Sequence, residues 1–545
     1  MRPAPTRRQL LRGASAASLV ASGVLVPRST AWADARAAGV LRDPDSLPRP
    51  HVAPGTPDAS MPFDHIVVLM MENHSFDNYF GMLPLRGQPL ADGFRFDSAG
   101  RPLNSNPYKG GELLSYRLQS TCQASVSQSW SSSHHQINGG KMDGFATDHI
   151  AAMGYYDEPD LPFYYSLAKT FTLANRWFCS TPCQTYPNRR FLYAGTAYGI
   201  ISTDINAITT APPPPNGTIC DRLTDAGVSW TSYFTDLPAL GIIPSNIENH
   251  PLNFTAIAQF FADAAAGTLP AVSFVDPEFG IAEEVGSRLQ QAIAQQATLP
   301  AAISDKLHSA RAQGGDEETP QDVQIGEAFV ASIVNAVLSS PAWQRTLLVW
   351  TYDEHGGYYD HVPPPPAIKP DNKAPDLGPK DPPGGYDLYG PRVPTVVVSP
   401  YSKPHAVTNV VHDHTSVLAM IEKKWNLPAL TARDANASDL MDFLDTSHMS
   451  FATPPTLAAA ALPNPTTCST ADPRIAIIDD APVSVRRRAP QGQGSGGHTT
   501  RPRHPGGALA ATGYGATIPL AAAGLTAAAA TMARARRSSP EPTED

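Results

Sequence analysis

Four mostly apolar runs are hydrophobic at successive positions, not at every second one. They are His65–Met71, Ala271–Val275, Thr346–Tyr352 and Val393–Val398. Continuous apolar runs of this length are typical of strands covered on both faces, as in a parallel sheet packed between helices. Helical periodicity appears between or after these runs, at Ile325–Leu338 and Ser416–Trp425. The pattern predicts an α/β protein whose mostly parallel central sheet is flanked by helices.

Two of the predicted strands end in residues that carry oxygen ligands. Glu72 and Asn73 follow the first run, and Asp353 and Glu354 follow the third. Ligands gather at the carboxyl ends of strands in open α/β sheets. Carboxylate and amide oxygens at that edge suit a hard divalent cation. Each pair by itself is equally consistent with a helix cap or a solvated turn, so the cation site depends on the two pairs meeting in space.

Composition narrows the class of protein. The 545 residues include 55 prolines, which predicts long proline-rich loops between the regular elements. The 40 Lys and Arg residues are outnumbered by 50 Asp and Glu residues, giving a net charge of −10. An acidic chain is a poor partner for nucleic-acid phosphates, so nucleic-acid binding is not expected.

The first 33 residues have the organisation of an export signal. Arg7 and Arg8 precede an apolar stretch at 14–26, and the segment closes with the small-x-small sequence Ala31-Trp32-Ala33. The paired arginines resemble a twin-arginine signal, although an ordinary secretory signal would use the same apolar stretch. Both routes predict an exported protein that meets export machinery during maturation. Residues 34–61 are interpreted as an N-terminal extension.

The C-terminal segment 509–545 resembles a sortase sorting signal of the LAxTG type. Leu509-Ala510-Ala511-Thr512-Gly513 precedes a weakly apolar run at 516–532 and then three arginines. An Arg/Gly/Pro-rich linker at 481–508 comes before it. This order predicts attachment to the cell wall or cell surface, with sortase as a partner. A plain membrane anchor and a disordered Ala-rich tail remain alternatives.

Five cysteines are present, and an odd number leaves at least one thiol unpaired within the monomer. An exported location permits disulfides, but the connectivity stays open. Cys179 and Cys183 lack a second Cys or His pair at ligand spacing, so a zinc site is not expected there. A structural disulfide or simple burial is the favoured interpretation.

Several motifs occur in a fixed order along the chain. They are Met71-Glu72-Asn73-His74-Ser75-Phe76-Asp77, Ser129-Trp130 with His134, Thr185-Tyr186-Pro187-Asn188-Arg189, Asp353-Glu354-His355-Gly356-Gly357 with Asp360-His361, Gly390-Pro391-Arg392-Val393-Pro394 and His414-Thr415-Ser416. Together they resemble the bacterial phosphoesterase family that holds non-haemolytic phospholipases C and a class of acid phosphatases. The resemblance covers roughly residues 62–445, within a predicted phosphoesterase domain at 62–480.

The resemblance implies an alkaline phosphatase-like fold and a divalent metal cation of unknown identity as cofactor. It implies a role for each matching position: metal binding for Glu72, Asn73, Asp353 and Glu354, nucleophile and metal ligand for Thr185, and contact with the phosphoryl group or leaving group for His134 and His361. A threonine hydroxyl is a weak nucleophile at neutral pH, and coordination to a cation would activate it for in-line attack on phosphorus. The product of that attack is a phosphothreonine, which water then hydrolyses.

The remaining candidates have competing structural interpretations. Asn188 could donate to phosphoryl oxygens, and His414 is either a substrate-binding histidine or a helix-start residue. His135 could replace its neighbour His134, and His361 could simply be exposed in a proline-rich turn. Arg189 is expected to lie buried against a carboxylate, in preference to clamping phosphate.

The chain departs from the family pattern at one place. Many relatives have an acidic stretch followed by His-Pro, whereas this chain has Glu317-Glu318-Thr319-Pro320. Thr319 cannot act as an imidazole base or cation, so the mode of substrate binding on that side is open. The favoured function is a metal-dependent phospholipase C. The alternatives are an acid phosphatase that acts on monoesters and an inactive wall-anchored binding protein, and the oligomeric state is open.

Overall fold

The computed structural model describes residues 41–123, 125–204, 211–279, 315–319 and 321–462, together with the backbone of a short strand at Val485–Arg486. The predicted export signal and sorting signal lie outside these residues, as does nearly all of the predicted linker, and they stay predictions. Among the described helices, none is both long enough and apolar enough to cross a membrane.

The strands are β1 (His65–Met71), β2 (Ser105–Tyr108), β3 (Gly111–Leu114), β4 (Tyr116–Arg117), β5 (Gly154–Tyr155), β6 (Thr172–Ala174), β7 (Trp230–Phe234), β8 (Phe254–Ala256), β9 (Val272–Asp276), β10 (Thr346–Tyr352), β11 (Thr395–Val398), β12 (Val407–Thr408) and β13 (Val485–Arg486). The helices are α1 (Phe76–Phe80), α2 (Trp130–Ile137), α3 (Phe145–Asp148), α4 (Pro162–Thr170), α5 (Thr185–Ala194), α6 (Ile219–Asp225), α7 (Pro244–Asn249), α8 (Ile257–Ala266), α9 (Val323–Leu338), α10 (Thr415–Trp425) and α11 (Ala432–Ala435).

Eight strands form the central sheet in the order β12-β6-β11-β10-β1-β9-β7-β8. All neighbours pair in parallel except β11, which is antiparallel to both β10 and β6. The predicted mostly parallel α/β sheet is therefore confirmed. All seven residues of β10 are buried, and so are six of the seven in β1. Burial on both faces explains why these strands are apolar at successive positions.

The pairing register decides which side chains meet at the carboxyl edge of the sheet. Met71, the last residue of β1, lies opposite Tyr352, the last residue of β10. Glu72 and Asp353 therefore leave the sheet side by side. On the other side of β1, the parallel strand β9 ends at Asp276.

The described part of the predicted N-terminal extension packs on the domain. The Asp45 N–H donates to the Ala429 carbonyl, and the Arg49 N–H donates to Asn426 Oδ1, each at 2.8 Å. These bonds attach residues 41–61 to the chain that follows α10. The extension is therefore part of the folded body over the described residues.

The two cysteines that the sequence singles out are buried and are not joined by a disulfide. Cys179 and Cys183 are free thiols and are fully buried, as is Cys220. Cys122 is disulfide-bonded.

Candidate active site

The Glu72-Asn73 and Asp353-Glu354 pairs at the strand ends meet in space, as the cation hypothesis requires. The Asn73 N–H donates to Asp353 Oδ1 at 3.1 Å, and the Glu354 N–H donates to the same oxygen at 2.7 Å. Asn73 has a φ of 69°, a left-handed conformation that asparagine tolerates better than most residues. A Cβ on Gly356 would lie 1.9 Å from the Asn73 carbonyl oxygen, so only glycine lets the two turns approach this closely.

Thr185 is the first residue of α5, and its side chain lies beside Asp353. Burial raises the pKa of Asp353 above its ordinary value, and the nearby Thr185 hydroxyl is among the groups that lower it. Thr185 itself is buried, with 5% of its surface exposed. The structure therefore brings the predicted nucleophile to the acidic strand ends.

Asn188 fastens the loop that precedes Thr185. Its Oδ1 accepts the Thr181 N–H at 3.0 Å, and its Nδ2 donates to the carbonyls of Cys183 and Gln184 at 2.9 and 3.1 Å. Because the amide group is buried and committed to these backbone partners, Asn188 is placed to hold Thr185 in position and not to bind phosphate.

Arg189 lies among the acidic residues of three neighbouring strand ends. Its Nε lies 3.4 Å from Glu72 Oε1 and 3.6 Å from Asp353 Oδ2, and its Nη1 lies 3.8 Å from Asp276 Oδ1. The guanidinium is buried. Burial by itself lowers the pKa of Arg189, but Glu72 and Asp353 raise it above its ordinary value. Arg189 is therefore buried against carboxylates, as its sequence context led us to expect.

Even with Arg189 nearby, the site holds more negative charge than its hydrogen bonds satisfy. Burial raises the pKa of Glu72 and of Glu354, and the charge of Asp353 raises both further. Asp353 Oδ2 and Glu354 Oε1 are buried and accept no hydrogen bond within the described residues. Buried carboxylate oxygens without donors are costly unless a cation neutralises them. The donor set therefore fits a divalent cation.

Two further acids, which the sequence analysis did not select, belong to this cluster. Oxygens of Glu72, Asp316 and Glu318 all lie within 4.8 Å of one another and could hold a metal ion. In the sequence, this acidic run stands out only for the departure at Thr319. No pattern along the chain connects Asp316 or Glu318 with Glu72. Thr319 is buried, and its carbonyl accepts the Ser125 hydroxyl at 2.7 Å.

His134 lies on α2, and its ring packs on Trp130 with centroids 4.3 Å apart. Trp130 belongs to a small apolar cluster with Cys183, two residues before Thr185. His134 Nδ1 donates to the Trp130 carbonyl at 2.7 Å, which leaves Nε2 as the acceptor of the neutral ring. Burial lowers the pKa of His134, which favours the neutral ring. Its neighbour His135 is exposed and contacts Thr147.

His361 joins a different charged network. Its Nδ1 donates to Asp77 Oδ2 at 2.7 Å, and its Nε2 lies 3.4 Å from Asp92 Oδ1. Arg392 binds Asp77 and Asp360 behind it, at 3.2 and 3.0 Å. Among the described contacts of His361, none involves Thr185 or the acids at the strand ends. The described contacts of His361 therefore place it in this charged network, and its contact with a phosphoryl or leaving group stays a prediction.

The His361 network predicts a loss of stability at alkaline pH. Burial lowers the pKa of His361, but Asp77 and Asp92 raise it to about 9. A folded-state pKa above the unfolded value stabilises the fold below about pH 6.5, by roughly 3 kcal/mol, since each unit of pKa difference corresponds to about 1.4 kcal/mol. This stabilisation is lost as the pH rises through about 9. Urea denaturation between pH 6.5 and 9.5 measures it. The variant His361→Gln cannot titrate and should lose this part of the pH dependence; an unchanged slope would contradict the assignment.

Both ring nitrogens of His414 have protein partners. Nε2 donates to the Asp353 carbonyl at 2.6 Å, and the Trp177 indole N–H points at Nδ1 at 3.4 Å. His414 immediately precedes α10 and is fully buried. Its contacts match the helix-start alternative, with a role in holding Asp353, and leave no ring nitrogen for substrate.

Comparison with known proteins shows the family of the chain. The phosphoesterase family model matches residues 63–428. Non-specific phospholipase C6 of Arabidopsis thaliana is 30% identical over 463 residues, which cover 80% of this chain and 81% of the relative. Phospholipase C B of Mycobacterium tuberculosis strain H37Rv is 30% identical over 460 residues, which cover 74% of this chain and 80% of the relative.

Solved structures of much lower sequence identity are also similar to part of this chain. An alkaline phosphatase superfamily protein from Vibrio parahaemolyticus covers 66% of this chain and 77% of its own, at 12% identity and a TM-score of 0.31.

The mostly parallel sheet gathers carboxylates and a threonine hydroxyl at its carboxyl edge, which is where α/β proteins bind their ligands. This α/β protein belongs to the phosphoesterase family, and it is a hydrolase that acts on phosphoric ester bonds. The family resemblance of the sequence motifs is confirmed.

Proposed function

We propose that the protein is a phospholipase C, which hydrolyses a phospholipid to diacylglycerol and a phosphorylated head group. The observation that carries the proposal is the position of Thr185 beside Asp353, whose second carboxylate oxygen is buried and accepts no hydrogen bond within the described residues. The names of the relatives that are 30% identical favour phospholipids among the possible phosphate esters.

Glu72, Asn73, Thr185, Asp353 and Glu354 would hold the divalent cation. Such a cation, when bound, lowers the pKa of a coordinated hydroxyl and offsets charge on phosphoryl oxygens. The family relationship and the acidic clusters support a metal-dependent enzyme. The ligand set and the identity of the metal belong to the proposal.

The chain's own groups supply the rest of the reaction. The Thr185 hydroxyl gives up its proton as its oxygen forms a bond to phosphorus, the bond from phosphorus to the diacylglycerol oxygen breaks, and the proton released balances the one that the leaving oxygen takes up. That oxygen takes up a proton, and diacylglycerol leaves as an alcohol. Water then cleaves the phosphothreonine and restores the hydroxyl, which releases the phosphorylated head group. Neutral His134 can exchange a proton through Nε2, and the N-terminal amides of α5 favour the anionic phosphoryl group.

Location forms part of the same proposal. The signal at residues 1–33 would export the chain, and the segment at 509–545 would attach it to the cell wall. Fractionation of cells that express the full chain and a version ending at residue 508 tests the attachment. We expect the full chain in the wall fraction and the shorter one in the medium; equal release of both would contradict anchoring.

The deciding experiment compares substrates. Purified protein is offered vesicles of a diacyl phospholipid and, separately, p-nitrophenyl phosphate. Release of diacylglycerol and phosphorylated head group is expected. Turnover of the monoester alone would identify an acid phosphatase, and vesicle binding without turnover of either substrate would identify a binding protein.

Chelation provides a separate prediction. Removal of divalent cations with EDTA is expected to lower activity at least about tenfold, because the buried carboxylates then repel both one another and the substrate phosphate. Adding back a divalent cation should restore activity, while circular dichroism shows that the fold persists. Full activity in protein whose metal analysis finds no bound cation would contradict the proposed cation site.

A further inference from the structure

Glu317 is a fully buried glutamate held by three tyrosine hydroxyls. Tyr79 and Tyr352 donate to Oε2, the latter at 2.6 Å, and Tyr164 donates to Oε1. The tyrosines come from α1, β10 and α4, which are far apart along the chain. Burial raises the pKa of Glu317 to about 8, against the three hydrogen bonds, which lower it. We call these four residues the tyrosine cage.

The backbone at Glu317 is held as firmly as its side chain. Its φ is 76°, a left-handed conformation that costs energy for a residue with a Cβ. His74 Nε2 lies 3.1 Å from its carbonyl oxygen. Gly326 of α9 admits the side chain, since a Cβ there would lie 2.1 Å from Glu317 Cγ. Strain of this kind persists only when the surroundings fix it, as the tyrosine cage does here.

The residues on either side of Glu317 are the two acids that lie beside Glu72. The Asp316 carbonyl accepts the Glu72 N–H at 3.0 Å, and Asp316 Oδ1 accepts the Glu318 N–H at 2.9 Å. Asp316 Oδ2 is buried and accepts no hydrogen bond within the described residues. The neighbours of the caged side chain therefore present carboxylates to the cluster with Glu72.

We infer that Glu317 is a positioning residue: the tyrosine cage fixes Asp316 and Glu318 beside Glu72, so that residues 315–319 add two carboxylates to the cation site. The inference rests on the proposed function, because it concerns the same cation. It adds ligands that the sequence motifs do not include, and it gives a role to a buried carboxyl group that the chemistry itself does not use.

Titration of purified, metal-free protein with Mn²⁺, followed by electron paramagnetic resonance of the free ion, tests the inference. Glu317→Gln places an amide N–H₂ among three hydroxyl donors, and we expect Mn²⁺ affinity to fall at least about tenfold. Asp316→Asn should weaken Mn²⁺ binding by a similar factor, because it removes one of the two carboxylates that the cage positions.

Glu327→Gln is the matched control. Glu327 is also fully buried, and its carboxylate accepts the backbone N–H groups of Phe163, Tyr164 and Ala461 at 2.8, 3.1 and 2.9 Å. Among the described contacts of Glu327, none is with Asp316 or Glu318. This variant should lose stability as Glu317→Gln does, but should keep Mn²⁺ affinity within about twofold.

A milder pair of variants keeps the test informative if Glu317→Gln does not fold. Tyr164→Phe removes one donor of the cage, whereas Tyr165→Phe removes a buried hydroxyl that donates to the Tyr156 carbonyl instead. Only the first should weaken Mn²⁺ binding. Wild-type affinity in both Glu317→Gln and Tyr164→Phe would overturn the inference and leave the proposed function standing. Absence of Mn²⁺ binding in the wild-type protein would overturn both.

Discussion

Replacing Thr185 with alanine is expected to lower turnover by roughly 10³-fold or more while the protein stays folded. The hydroxyl is the proposed attacking group, and no other hydroxyl occupies the first position of α5 beside Asp353. Activity on phospholipid vesicles and the thermal unfolding midpoint measure the two parts of the prediction. Thr185→Ser retains a hydroxyl and should retain measurable turnover.

Thr181→Ala is the matched control for this prediction. Thr181 lies in the loop before α5 and is fully buried, and its hydroxyl has no hydrogen-bond partner within the described residues. Removing that hydroxyl should leave activity and stability close to those of the wild type. Near-normal activity in Thr185→Ala would exclude the phosphothreonine route.

Replacing Arg189 with methionine is expected to destabilise the fold by roughly 3–5 kcal/mol, because the buried acids Glu72, Asp353 and Asp276 lose the cation that lies among them. The free energy of unfolding from urea titration, in metal-free protein, measures this loss. Added divalent cation should recover part of it, since a cation would then neutralise Glu72 and Asp353.

Arg190→Met is the control that separates the loss of a buried guanidinium from the loss of its ion pairs. Arg190 is as buried as Arg189, but it has no ion pair with an acid among the described residues, and burial lowers its pKa to about 10. Because its Nε and Nη2 lack hydrogen-bond partners there, its replacement should be neutral or stabilising. Similar losses in both variants would mean that Arg189 contributes packing and not charge.

Two of the four predicted strands were predictable to the residue, whereas β9 is shifted by one residue from its apolar run and β11 begins two residues later. β1 and β10 have the bounds of the apolar runs, because a strand covered on both sides has to be apolar at every position. The helix predicted at Ile325–Leu338 begins two residues earlier, since Asp322 caps it by accepting the Gln324 N–H. The motifs also predicted which residues meet at the edge of the sheet, namely Glu72, Asn73, Thr185, Asp353 and Glu354.

The functional histidines were harder to predict. The motifs implied a phosphoryl or leaving-group contact for His361 and left His414 between a substrate-binding histidine and a helix-start residue. Their partners differ: His361 binds the carboxylates of Asp77 and Asp92, and His414 binds the Asp353 carbonyl. A histidine's role depends on which groups face its two nitrogens, and those groups come from elements that are distant in sequence.

The sequence by itself determined that the chain forms a parallel α/β sheet and which strand ends carry acids, because burial and residue chemistry are local properties. Only the tertiary structure decided that Asp276, Asp316 and Glu318 join those acids and that Arg189 lies among them. It also decided the antiparallel direction of β11 and the enclosure of Glu317 by three tyrosines. Each of these depends on strand order and long-range packing, which no pattern of neighbouring residues encodes.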